Sequence, residues 1–291
     1  VPHIALATYR RGPEDPEDRD LPLLLSALGA AGARAEAVHW DDPEVDWASF
    51  DLVLIRSTWD YTLRVAEFTA WAERCARLTR LANPAPVVRW NTDKRYLGEL
   101  AAAGVPTVPT RYLAPGDPVE LPEDREYVIK PTSGAGSRYA ARYTPEARER
   151  AAGHLERMHA EGLTAMVQPY LKAIDVTGER PLLFLDGEFV HASRKGAVLT
   201  PGTPYDARKV AHPGLEGWEP TEAELAVARA ALAAVPGDPA LLYARVDLVD
   251  GDEGEPRVME LELVEPNLFL WLHPDSMPVV TERILRAAAG A

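Results

Sequence analysis

Apolar runs and polar breaks alternate along the first 85 residues in a regular order. Val1 to Thr8 reads as a first strand around the apolar run His3 to Ala7, Ala33 to His39 alternates like a half-buried strand, and Asp51 to Ile55 is continuous enough for a buried parallel one. Between the first two, Asp20 is placed to cap a helix with Pro22 in its first turn. Leu23, Leu24, Ala27 and Leu28 make its apolar face before Gly29 and Gly32 end it. Leu63 to Leu81 carries helical periodicity. Strand, helix, strand, strand, helix predicts an open α/β lobe over residues 1–85, with ligands beyond the carboxyl ends of its strands. Asn83-Pro-Ala-Pro86 reads as a linker.

Beyond it the pattern predicts a short strand over Val87 to Trp90 and a capped helix over Asn91 to Leu100, closed at Gly104. An extended edge segment over Val105 to Thr110 follows. Pro145 to Glu161 is an amphipathic helix and Ala165 to Leu171 an apolar strand; Arg180 to Leu185 and Glu188 to Lys195 form a hairpin over Asp186-Gly187. Ala197 to Glu219, rich in Pro, Gly and charge, reads as a mobile active-site loop. Thr221 to Val235 is a helix, Leu241 to Val249 and Arg257 to Val264 a second hairpin, and Val279 to Ala289 a terminal helix.

Composition narrows the function classes. With 291 residues, 46% of them hydrophobic, the chain has enough apolar surface for two or three packed lobes. Asp and Glu outnumber Lys and Arg by 45 to 31, a net charge of −14, which argues against general affinity for nucleic acid or an anionic membrane. Carboxylate clusters on such a chain suit Mg²⁺. The one cysteine, Cys75, excludes an intramolecular disulfide framework and a cysteine-rich zinc site. No apolar run reaches membrane-spanning length and no cleavable signal is evident, so a cytoplasmic protein is expected.

Four stretches carry candidate chemistry. In Tyr127 to Ser137 a strand delivers Lys130 into a loop of hydroxyl and glycine residues whose N–H groups suit phosphate oxygens. The lysine precedes the glycines, so this is not the familiar Gly-x-x-x-x-Gly-Lys loop; by itself the stretch fits a plain hairpin turn equally well. Lys94, in a first helical turn where a cation opposes the helix dipole, suggests a nearby anion. Thr8-Tyr9-Arg10 and Arg56-Ser57-Thr58-Trp59-Asp60-Tyr61 follow the first lobe's strands and mix cation, hydroxyl, carboxylate and ring, a set that suits a small zwitterion, although a helix-entry loop with a packed Trp59 would look similar. In the last hairpin, period-two alternation puts Tyr243, Arg245 and Asp247 on one face and Glu260 and Glu262 on one face of the partner strand. Three carboxylates so placed call for a cation between them.

Lys94, Val128-Ile-Lys-Pro131 with its glycine flap, Gln168-Pro-Tyr-Leu171, and Arg245-Val-Asp247 with Glu260-Leu-Glu262, in that order, resemble the ATP-grasp superfamily of carboxylate-amine ligases. The resemblance covers about 175 residues. It implies a mixed α/β (α+β) ATP-grasp fold: a substrate lobe over 1–85, then an ATP-grasp domain over 86–291, with a small ATP lobe at about 105–170 and a large ATP and Mg²⁺ lobe at about 171–291. Carried over by residue, Lys94 and Lys130 contact ATP phosphates, and Ser133, Gly134, Gly136 and Ser137 belong to the flap that closes over them. Gln168, Tyr170 and Leu171 form the adenine hinge, with glutamine where glutamate is common, and Glu179 binds ribose with Asp175 as the competing choice. Lys195 is a further phosphate lysine, Arg245 the transition-state arginine, and Asp247, Glu260 and Glu262 the Mg²⁺ ligands. The usual Glu-x-Asn ending is not kept; Glu265 and Asn267 follow later, which leaves the last ligand open. Tyr9, Arg56, Ser57, Thr58 and Asp60 are the substrate candidates.

Within the superfamily, Arg56 to Tyr61, Gly178-Glu179, His191 to Lys195 and Glu260 to Pro266 are similar to a subgroup related to ribosomal-protein glutamate ligases and glutathione synthetase, and to cyclo-ligases that close O-ureido-D-serine to D-cycloserine. The resemblance implies a small amino-acid-like carboxylate, activated by ATP as an acyl phosphate and captured by an amine-type nucleophile. An intermolecular amino-acid or peptide ligase and a catalytically silent ATP-binding regulator are the alternatives. Pairing of two chains through the first lobe is compatible with it, though no decisive apolar patch marks the surface.

Overall fold

The computed structural model describes residues 1–134, 138–206 and 214–290. β1 (His3–Thr8), β2 (Arg34–His39), β3 (Leu52–Ile55) and β4 (Leu81–Ala82) form a parallel sheet in the order β2-β1-β3-β4. Alternation sorts its two faces. Ile4, Leu6, Leu52 and Leu54 pack with Leu24 and Leu28 of α1 (Leu21–Ala30), whereas Ala5, Ala7, Val53 and Ile55 pack with Phe68 and Trp71 of α2 (Val65–Leu78). Burial on both faces explains why these strands read as continuous apolar runs. The order reverses at β1, so the loops after β1 and β3 lie side by side, where open α/β sheets bind ligands.

Two short helices follow, α3 (Ala85–Asn91) and α4 (Tyr96–Ala102). The strand expected over Val87 to Trp90 is therefore helix, and Asn91 ends α3 instead of capping the next element. A four-residue apolar run does not distinguish strand from buried helix, and Pro86, in the first turn, is preorganised for the latter. The expected linker is also corrected. Asn83 is fully buried, donating from Nδ2 to Tyr243 O and Leu263 O (both 2.8 Å) and accepting from Leu242 N (2.8 Å), so the segment fastens the first sheet to the last.

The antiparallel sheet β5-β8-β6-β7 comprises β5 (Arg111–Leu113), β6 (Tyr127–Pro131), β7 (Ala141–Tyr143) and β8 (Ala165–Pro169). It is covered by Ala151, Leu155 and Met158 of α5 (Arg148–Ala160). After the short α6 (Ile174–Thr177), a second antiparallel sheet runs β11-β10-β9-β12-β13. Its strands are β9 (Arg180–Leu185), β10 (Glu188–Arg194), β11 (Glu216–Trp218), β12 (Tyr243–Asp250) and β13 (Pro256–Glu262). β11 falls inside the stretch expected to be a mobile loop. The β9–β10 turn has positive φ at both Asp186 (48°) and Gly187 (79°), the turn that matches strand twist. α7 (Glu222–Ala233) opens with a Thr221–Glu224 capping box and packs with Leu182 and Phe184. Leu183 and Leu185, on the other face, share a core with α1 and α8 (Met277–Ala289). Among the described residues no helix is long and apolar enough to cross a membrane.

Candidate active site

The loops after β1 and β3 are joined by Tyr9 N to Ser57 O (3.0 Å) and Arg56 N to Ala7 O (2.9 Å). They close one end of a cavity of about 1640 Å³ whose other walls are β6 with its following loop, the end of β8, and the β12–β13 hairpin. Of the expected substrate residues, Tyr9 and Asp60 line it. Asp60 accepts from Trp40 Nε1 (2.8 Å) and Arg64 Nη1 (3.3 Å). Arg56, Ser57 and Thr58 are buried and do not line it, a correction to the sequence reading. The chain dips into the core after Ile55 and regains the cavity at the turn Trp59–Leu63. Arg56, 1% exposed, spends its charge inside: Nη1 donates to Pro266 O (3.0 Å) and Nη2 lies 4.0 Å from both Asp18 and Asp20. Sequence reasoning missed Arg19, which lies 3.5 Å over the Trp271 ring, both residues lining the cavity. An exposed arginine in an acidic, Pro-bearing loop carries no signal of its own.

At the opposite end two lysines differ sharply. Lys94 sits in the break between α3 and α4, not in a helical turn. Its N donates to Thr132 O (2.7 Å), and its Nζ donates to Gly134 O (2.6 Å) and lies 3.1 Å from Glu260. Lys130, on β6, lines the cavity, and its Nζ has no hydrogen-bond partner among the described residues. Burial lowers its pKa, with Lys94 adding to the effect against the pull of Glu260. Ser133 turns its hydroxyl to Thr92 O (2.9 Å), away from the cavity, so it anchors the base of the flap. Gly136 and Ser137 lie outside the described residues.

The carboxylate hairpin pairs Arg245 with Glu262 and Asp247 with Glu260. The carboxylates are interleaved with cations. Arg245 forks onto Asp247 through Nε (2.7 Å) and Nη2 (2.9 Å), also pairs with Glu262, and donates from Nη1 to Asn267 O (3.1 Å). Lys195 Nζ donates to Asp247 (2.9 Å) and pairs with Glu179. Burial pushes Asp247 up, but Arg245 and Lys195 outweigh it and hold the carboxyl well below the usual range. Burial likewise opposes Lys94 and Lys130 at Glu260, and the lysines prevail. Glu262 and Glu265 go the other way: burial, aided by Glu260, lifts them to about 8 and about 7 against Arg245 and Lys94 respectively. Among the described residues no three His, Cys, Asp or Glu side chains are gathered closely enough to hold one ion. The expected convergence of Asp247, Glu260 and Glu262 on one point is thus corrected: Arg245 stands between Asp247 and Glu262.

At the hinge, Gln168 Nε2 donates to Thr110 Oγ1 (2.9 Å) and Tyr170 N to Glu126 O (2.8 Å). Tyr170 carries Arg142 3.4 Å above its ring. Leu171 joins Val108, Val249, Ile174 and Met259 in an apolar slot along the cavity. Leu171 was expected at the hinge; the sequence did not single out Val108, Ile174, Val249 and Met259. Glu179 lines the cavity; Asp175, the competing choice, does not.

The segment 266–271 borders the site, and His191 supports it from behind. The neutral ring donates from Nε2 to Leu268 O (2.8 Å), accepts at Nδ1 from the Ser276 hydroxyl (2.7 Å) and stacks on His273 at 4.0 Å. Burial, then His273, pushes its pKa down to about 4. The unfolded chain, with an ordinary value near 6.5, takes up the proton first. The stability His191 supplies is therefore complete above about pH 6.5 and lost as pH falls toward 4, by up to about 3 kcal/mol. His191→Gln is expected to lower the melting temperature at pH 7, with the gap to wild type narrowing by pH 4.5; a constant gap would contradict this account.

Residues 4–83 match the family described as D-cycloserine synthetase DcsG, N-terminal domain. Over 278 residues the chain is 42% identical to the cycloserine biosynthesis protein DcsG of Streptomyces lavendulae, covering 89% of this chain and 91% of that protein. The crystal structure of D-cycloserine synthetase DcsG superposes with a TM-score of 0.87 at 38% identity, covering 98% of this chain and 99% of that one. D-alanine–D-alanine ligase from Bacillus anthracis complexed with ATP matches in fold, with a TM-score of 0.72 at 16% identity over 99% of this chain and 98% of that one. The chain belongs to the family of the D-cycloserine synthetase DcsG and is an ATP-dependent, ADP-forming ligase with the ATP-grasp fold.

Proposed function

We propose that the chain activates the carboxylate of O-ureido-D-serine as an acyl phosphate and closes it, with loss of phosphate, onto the oxygen-bound nitrogen of the same molecule, and that water removes the carbamoyl group from that nitrogen as carbon dioxide and ammonia, giving D-cycloserine. Identity of 42% to a cycloserine biosynthesis protein supports the substrate. The observation that carries the phosphoryl-transfer half is Lys130, a half-buried cation facing the cavity whose Nζ has no hydrogen-bond partner among the described residues. A partly desolvated charge without a hydrogen bond favours a bound anion, and the anion that ATP brings is a phosphate group.

The substrate carboxylate oxygen attacks the γ-phosphorus of ATP, the bond to the bridging oxygen breaks, and ADP leaves. Lys94, Lys130 and Lys195 neutralise the phosphates, and Arg245 takes the charge that spreads over the transferring group. The slot of Val108, Leu171, Ile174, Val249 and Met259 suits adenine. Glu179, expected at the ribose, acts through Lys195, whose ammonium it pairs. Tyr9, Asp60 and the Arg19–Trp271 pair hold the zwitterionic substrate at the other end.

Mg²⁺ suits the chemistry of the donors, although Arg245, standing between Asp247 and Glu262, keeps the three carboxylates from forming one closed site. Asp247, Glu260 and Glu262 offer oxygen ligands only, as a hard cation prefers, and the upward shifts of Glu262 and Glu265 mark a surplus of carboxylate over cation. Bound there, it supplies positive charge for the phosphates. O-ureido-D-serine alone, with ATP and Mg²⁺, is expected to release one ADP and one phosphate per D-cycloserine formed. A requirement for a second, amine-bearing substrate would contradict intramolecular closure and favour an intermolecular ligase.

A further inference from the structure

We infer that Asp20, backed by Arg56, is a positioning residue for Arg245: it fixes the 266–271 segment on which that guanidinium rests. This rests on the reading of Arg245 as the transition-state arginine. Asp20 occupies the N-cap position of α1 yet makes no side-chain bond to that helix. Asp18 takes over the capping task, its Oδ1 accepting from Asp20 N (2.9 Å) and Leu21 N (3.2 Å). Asp20 instead reaches across to the other end of the chain. Its Oδ2 accepts from Leu268 N (2.9 Å), and its Oδ1 from Leu270 N (2.8 Å) and Trp271 N (3.4 Å).

Asp20 is 1% exposed, and a carboxylate so buried is tolerated only when paired and hydrogen-bonded. Arg56 supplies the counter-charge 4.0 Å away and itself donates to Pro266 O (3.0 Å). The segment is thus gripped at Pro266 O, Leu268 N, Leu270 N and Trp271 N by the substrate lobe, and at Leu268 O by His191. Its free face serves the site. Asn267 O accepts from Arg245 Nη1 (3.1 Å), and the Phe269 ring lies 5.3 Å below that guanidinium. Phe269 has φ 56°, a left-handed conformation that a bulky residue holds only where its surroundings enforce it. Asp20 borders the cavity, but its carboxylate oxygens are taken up by the backbone N–H groups of Leu268, Leu270 and Trp271. Its effect on rate runs through where Asn267 and Phe269 hold Arg245.

A double-mutant cycle on ADP release separates positioning from general structural support. Arg245→Lys is expected to slow release about 10³-fold and Asp20→Asn about 30-fold with KM for ATP within twofold of wild type. The double variant should fall within about threefold of Arg245→Lys alone, because an arginine already replaced cannot be misplaced. Multiplication of the two losses, or an Asp20→Asn loss that appears wholly in KM for ATP, would overturn the inference. The cycle is run with O-ureido-D-serine and, in parallel, on slow transfer to water. If O-ureido-D-serine fails with the wild type, the substrate assignment fails, and the water reaction still decides the coupling. If Asp20→Asn does not fold, Arg56→Lys, which keeps the buried charge, replaces it with the same expected non-additivity.

Discussion

Replacing Arg245 with alanine is expected to lower kcat for ADP release by about 10³-fold or more while changing KM for ATP only a few-fold. The guanidinium is fixed at four points: two bonds to Asp247, one to Asn267 O and one pair with Glu262. Such a donor needs no reorganisation when charge spreads over the transferring phosphoryl group, so its removal acts on the transition state more than on bound ATP. Stability falls as well. Alanine leaves Glu262 without its cation and Asp247 with Lys195 alone, and breaking a buried pair from one side costs about 3 kcal/mol, several degrees in melting temperature. Steady-state kinetics well below the melting point separate the two effects. An alanine variant with wild-type kcat would remove Arg245 from the mechanism.

Lys130→Met should have the opposite thermal signature. Its ammonium is half-buried beside Lys94, Lys195, Glu260 and Glu179 without a hydrogen bond among the described residues, so the ligand-free protein carries a charge that its neighbours relieve only in part. Methionine keeps the length and removes that cost; the ligand-free melting temperature is expected to hold or rise. ATP affinity should fall about 100-fold, the scale for losing one desolvated charge pair. The rise in melting temperature on adding ATP, which follows affinity by mass action, should then largely vanish at ATP concentrations that saturate the wild type. A ligand-free variant several degrees less stable, with its ATP response intact, would show that Lys130 is a structural cation.

The contrast between these lysines and arginines shows what the chain discloses locally. Period-two alternation alone put Arg245 and Asp247 on one strand face and Glu260 and Glu262 on one face of the partner strand; the register that sets Arg245 opposite Glu262 and Asp247 opposite Glu260 came only from the pairing of β12 with β13. Lys130 was legible because a strand runs straight into glycines. Arg56 was misleading for a related reason: cation, hydroxyls and aromatics after a buried strand look like a site, but its partners Asp18, Asp20 and Pro266 lie far away in sequence. Asn83 failed similarly. Its flanking prolines suggest a linker, whereas its amide is satisfied by residues about 160 and 180 positions away. The clamp of Asp20 on 268–271 spans some 250 residues and leaves no periodic or compositional trace.

The most direct test of carboxylate activation follows an oxygen atom. O-ureido-D-serine carrying ¹⁸O in both carboxylate oxygens, incubated with ATP and Mg²⁺, passes through an acyl phosphate whose bridging oxygen comes from the substrate. Capture by nitrogen breaks the carbon–oxygen bond and leaves that oxygen on phosphorus. Mass spectrometry of the released phosphate should find one ¹⁸O per D-cycloserine formed. Cyclised product accompanied by unlabelled phosphate would contradict phosphoryl transfer to the carboxylate, and with it the roles of Arg245 and Lys130 in that transfer.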